Sequence, residues 1–114
     1  MKPYMFERVF LPDFLRFVNI HAVTHALDSF YSSGSFRGLK DAYKTASNYC
    51  LSRFYEDGWQ PEFDELEEEQ AEFARSEWRR YLCYMMRRYF KMRNIKLATK
   101  DLEDLALIGE GGRE

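Results

Sequence analysis

Two histidines four residues apart, His21 and His25, are the first groups whose spacing could do chemistry. Imidazoles at i and i+4 share one face of a helix and can hold a metal together, as in HExxH proteins. Here Ala22-Val23-Thr24 lies between them, so the glutamate base of that motif is missing. A third ligand would have to come from Asp28, Cys50 or Cys83, and no spacing points to one. The simpler reading is a pair of partly buried histidines in a helix packing face, with no metal and no cofactor. A pH-sensitive contact is a further option, since histidine titrates near neutrality. Cys50 and Cys83 are the only thiols and form no CxxC motif. Without an export signal, both are expected to be free. Cys50 could face a histidine across a helix pair, but neither cysteine lies beside one in sequence. There is no GxSxG elbow, no GxGxxG loop and no Walker A motif. Gly34-Ser35-Phe36-Arg37-Gly38 reads as a loop. The chain is therefore not expected to be an enzyme.

Charge is segregated along the chain. Residues 62–77 hold eight acids and one base, Arg75, whereas residues 78–100 hold eight bases and no acid. The acidic run could mimic nucleic-acid phosphates, but the solvated first half of a long helix is the plainer meaning. The basic run is interleaved with Tyr81, Tyr84, Tyr89 and Phe90, a composition suited to nucleic acid. Yet the net charge is −2, unlike a protein that coats DNA. A nucleic-acid-binding module is thus the alternative rather than the leading reading.

These residues need elements to position them. The 114 residues suit one domain. Aromatics make up 18% of the chain, which excludes intrinsic disorder. The pattern predicts an all-α fold, a small bundle of about four helices filling residues 1–108, with a disordered tail at 109–114. Residues 1–12 should approach in extended form, and Asp13 should cap a first helix running to about Ser32. Tyr4 to Phe10 could make a short strand, but no partner strand is offered. A second helix should start between Ser35 and Leu39 and end at Asp57, with Gly58 as the left-handed stop. One long helix should occupy about 62–94, with Pro61 in its first turn and Asp64 and Glu67 as a capping box. Acid first and base last suits its dipole. A short helix from Thr99 to about Ile108 follows.

On a helical wheel, Leu66, Phe73, Ala74, Trp78, Tyr81, Leu82, Met85, Tyr89, Met92 and Ile95 share half of the long helix and should face the core. Cys83, Met86 and Phe90 then fall on the outer face among Arg79 and Arg87. Met, aromatics and Arg are enriched at protein interfaces. Either this patch meets another molecule, or another segment such as residues 1–12 covers it. Phe30, Tyr31 and Tyr55 form a second candidate patch. The first helix is apolar nearly all round, which favours a homodimer or stable partner binding.

In size, helicity and want of catalytic groups the chain resembles small helical bacterial or phage modulators: anti-activators, anti-sigma factors and anti-CRISPR proteins. The resemblance implies a regulator that inhibits or sequesters a protein partner, for instance a transcription regulator, by covering an apolar interaction surface. No apolar run is long enough for a membrane span, and the cytoplasm is the expected location.

Overall fold

The computed structural model describes residues 1–33 and 38–111, and these are helical with no strand among them. An N-terminal arm combines an α turn at Pro3–Met5, a π turn at Phe6–Phe10 and an α segment at Leu11–Leu15. Four longer helices follow: α1 (Ile20–Ser32), α2 (Leu39–Glu56), α3 (Glu68–Met92) and α4 (Thr99–Gly109). A helical turn at Gln60–Asp64 links α2 to α3. The molecule measures 43 × 27 × 20 Å.

The arm differs from the sequence expectation, which left residues 1–12 extended. Pro12 has no N–H to continue the α-helical ladder. Just before it the chain widens, and the Leu11 N–H donates five residues back to the Phe6 carbonyl. Residues four apart then stack along one line. Phe6 lies 6.1 Å from Phe10, and Phe10 lies 5.6 Å from Phe14, ring centre to ring centre.

The first cap is Asn19, not Asp13. The chain turns at residues 16–19, and Asn19 Oδ1 accepts from the Ala22 N–H at 2.9 Å. Such a cap stabilises a helix by about 1 kcal/mol. The long helix also starts later than expected. Its box uses Glu67 and Gln70, with the Glu67 N–H donating to Gln70 Oε1 at 3.1 Å. Gly58 is left-handed just past α2, as its position in the sequence implies. Asn94, at φ 56°, ends α3. The Ile95 N–H reaches the Phe90 carbonyl at 2.9 Å and the Asn94 N–H reaches Lys91 at 3.1 Å, the paired bonds of a Schellman stop.

α1 packs on α2 and α3, and the arm lies along α3. α4 folds back over α3 and α2. The core has two aromatic groups. Phe14 anchors the first, 4.6 Å from Trp78 and 5.0 Å from Phe54. Trp78 Nε1 donates to Ser47 Oγ at 3.2 Å, which satisfies its one polar atom. In the second group Tyr89, Phe90 and Tyr31 pack together, at 5.5 Å for Tyr89–Phe90 and 6.0 Å for Tyr31–Phe90. Each fully buried aromatic contributes about 1.5–3 kcal/mol of burial energy. Among the described residues no helix is long and apolar enough to cross a membrane.

Candidate functional site

The residues expected to form an outer patch on the long helix do not form one. Cys83, Met86 and Phe90 are all buried. The buried side of α3 is Ala71, Ala74, Trp78, Leu82, Cys83, Met86, Tyr89 and Phe90. This stripe is turned by roughly a quarter turn from the expected one at 100° per residue. The segment that covers the patch is α4, not residues 1–12. α4 buries Leu105 and Ile108, and Gly109 sits where an added Cβ would touch Cys83 Cβ and Sγ at 3.6 Å.

The other candidate residues are dispersed. Arg79 is half-buried on the wall of a cleft that Tyr55 also lines. Arg87 is exposed. Phe30 and Tyr31 are half-buried and meet edge to face at 5.2 Å, so they close the second aromatic group rather than extend a surface patch. Burial pushes the Tyr31 hydroxyl up to about 12, and the charge of Asp101 adds to this.

The chemical candidates behave as ordinary side chains. Cys50 and Cys83 are buried free thiols, and burial raises them to about 12 and about 11. A thiol held protonated is a poor nucleophile and a poor ligand. His21 and His25 are exposed rather than partly buried, and the His25 ring packs on Tyr49 at 5.1 Å. No group of three or more potential metal ligands is present among the described residues.

One polar cluster is tightly built. Arg93 grips Asp28 with two bonds, Nη2 to Oδ2 at 2.6 Å and Nε to Oδ1 at 3.0 Å. Tyr89 Oη donates to the same Oδ1 at 2.7 Å. These bonds, Arg93 first, lower Asp28 from 3.8 to about 2. The cluster ties α1 to the end of α3.

The quarter turn of α3 gives a different exposed surface. Phe73 and Tyr84 are 49% and 54% exposed, and Tyr81 and Met92 are also open to solvent. Pro3, Phe6 and Leu11 of the arm share one depression with Phe73 of α3. Leu11 also belongs to a second depression with Leu15, Tyr81 and Met85. Tyr81 in turn borders a third with Glu77, Arg80 and Tyr84. The first two lie between arm and helix and share Leu11, and the third, which shares Tyr81, is lined by α3 alone; together they border about 18 Å of α3 from Phe73 to Met85 at 1.5 Å per residue. Charges flank this stretch, acids toward Glu69 and bases toward Arg88 and Lys91. Arg80 Nη1 bonds to Glu77 Oε1 at 2.9 Å beside Tyr81 and Tyr84.

Sequence reasoning missed this surface because it assigned Phe73 and Tyr81 to the core. A usable signal was the run Ala71, Ala74, Trp78, Leu82, Met86 and Tyr89, spaced at three or four residues. Compared with protein-family models, curated proteins and solved structures, the chain matches none of them.

Proposed function

We propose that the protein is a small non-catalytic regulator that binds a protein partner and occludes one of its apolar surfaces. The observation that carries this is the exposed strip of Phe73, Tyr81 and Tyr84, with half-buried Met85, beside Leu11 and Leu15. Aromatic and Met side chains set among charges are the usual source of affinity in protein contacts. The Arg80–Glu77 pair and the flanking charges would fix orientation. The contact surface is thus this strip and not Cys83, Met86 and Phe90. A photo-crosslinker at position 84 should capture one predominant protein. The double variant Phe73→Asp/Tyr81→Asp should lose that capture while keeping the wild-type circular dichroism spectrum. Equal capture by a folded double variant would defeat the proposal.

A homodimer is supported by the charge layout of the same face. In an antiparallel copy of α3 centred near Arg80 and Tyr81, Glu69 would face Lys91 and Met92, and Phe73 would face Arg88. Sedimentation should then show a dimer at low salt that Lys91→Glu or added salt weakens, since exposed charge pairs are screened. The nucleic-acid alternative has less support, because Arg80 is paired with Glu77 and Arg93 with Asp28.

A further inference from the structure

On roughly the opposite side of α3 from the strip lies a cleft of about 310 Å³. This is the lower end of the size range of small-ligand sites. Its floor is aromatic and buried: Phe14, Phe54 and Trp78. Half-buried Phe63 forms one side. Its polar lining includes Arg75, Arg79 and Ser47. Arg75 and Arg79, one turn apart on α3, stand at the wall. The Arg75 guanidinium lies over the Phe63 ring at 5.5 Å, which fixes its place at the rim. Arg79 Nε is buried and has no hydrogen-bond partner. Neither arginine has a carboxylate within 4.0 Å among the described residues. Ser47 Oγ, already accepting from Trp78 Nε1, keeps its own O–H to donate.

Arg79 Nε, closed in at this aromatic wall without a partner, marks an unbalanced cation there, because buried polar groups normally have partners, and exposed Arg75 adds a second positive charge one turn away. A guanidinium fork also matches a carboxylate in shape and makes two charge-assisted bonds to it. Among the described residues, Glu62 Oε2, on the turn that carries Phe63, is also a buried side-chain atom without a partner. It is an acceptor and would repel an anion rather than bind one. We propose that this cleft binds a small aromatic carboxylate, with its ring on Trp78 and Phe54 and its carboxylate on Arg79 and Arg75. The site is separate from the partner-binding strip, and its test does not depend on that reading.

The probe is 2-naphthoate, with neutral 2-naphthalenemethanol as the matched control. Binding is followed by tryptophan fluorescence and by backbone amide shifts at Ser47 and Arg79. Naphthoate should saturate at millimolar concentration or below and bind more tightly than the alcohol by about tenfold, the expected worth of a lost bidentate charge contact. Arg79→Gln should lose that preference, and Arg75→Gln, at an exposed position that does not endanger folding, should reduce it. No saturable shift with naphthoate would overturn the proposal. So would equal binding of the alcohol, or full retention of the preference in a folded Arg75→Gln/Arg79→Gln protein.

Discussion

Phe90 is where the location of the core can be tested most sharply. Its ring, on the helix against which α4 packs, is 2% exposed and meets Tyr89 and Tyr31. Replacing it with alanine removes the aromatic contacts and leaves a cavity, at a cost of about 3–5 kcal/mol. Domains of this size are stable by only about 5–15 kcal/mol, so this is a large share of the total. Near the melting point each kcal/mol shifts Tm by about 4 °C for a chain of this length, so Phe90→Ala should melt about 12–20 °C below wild type. Tyr84 is the control: 54% exposed, its alanine variant should stay within about 0.5 kcal/mol, or about 2 °C. Thermal melts followed by far-ultraviolet circular dichroism decide the matter. If Phe90→Ala melts with wild type, or Tyr84→Ala falls as far as Phe90→Ala, the orientation of α3 is wrong.

The remaining expectations concern thiols and acid. Because burial holds Cys50 and Cys83 at about 12 and about 11, neither should react with an aromatic disulfide reagent in the native protein at neutral pH, and both should react in urea. Leu105→Ala should loosen α4 and let Cys83 react before Cys50, and equal rates for the two thiols would show that α4 is not the cover. Asp28 is lowered in the folded protein, so its ion pair stabilises above about pH 4 and is lost as pH falls toward about 2. Urea midpoints across that window should therefore fall more steeply for wild type than for Asp28→Asn, and parallel slopes would show that the cluster carries no such linkage.

The bundle was legible because long stretches without Pro or Gly and with recurring apolar residues leave few alternatives to helix. The stop at Gly58 was legible for a related reason: glycine accepts the left-handed backbone that few other residues do. The orientation of α3 was not. A wheel gives Phe73 and Tyr81 more apolar weight than Ala71 and Ala74, yet small residues mark where another segment comes nearest. The cover over Cys83 was hidden because α4 reaches it only through the turn after Asn94, a tertiary fact that local spacing does not contain. The arm was misread because Leu11-Pro12 usually ends a helix, whereas here a π turn absorbs the missing N–H. Of the proposed site residues, Arg79 of α3 and Tyr55 of α2 line one cleft together with Ser47, two turns before Tyr55 on α2, but its Phe14 comes from the arm, which no local spacing relates to them.

The position of α4 also has a consequence for the order in which the molecule can be made. During synthesis α3 emerges before the helix that seals it. For that interval Cys83, Met86 and Phe90 form an unsheltered oily seam on a helix that already has its caps and charges. A nascent chain paused there would be the form most prone to stick to its neighbours, and the form a chaperone would hold.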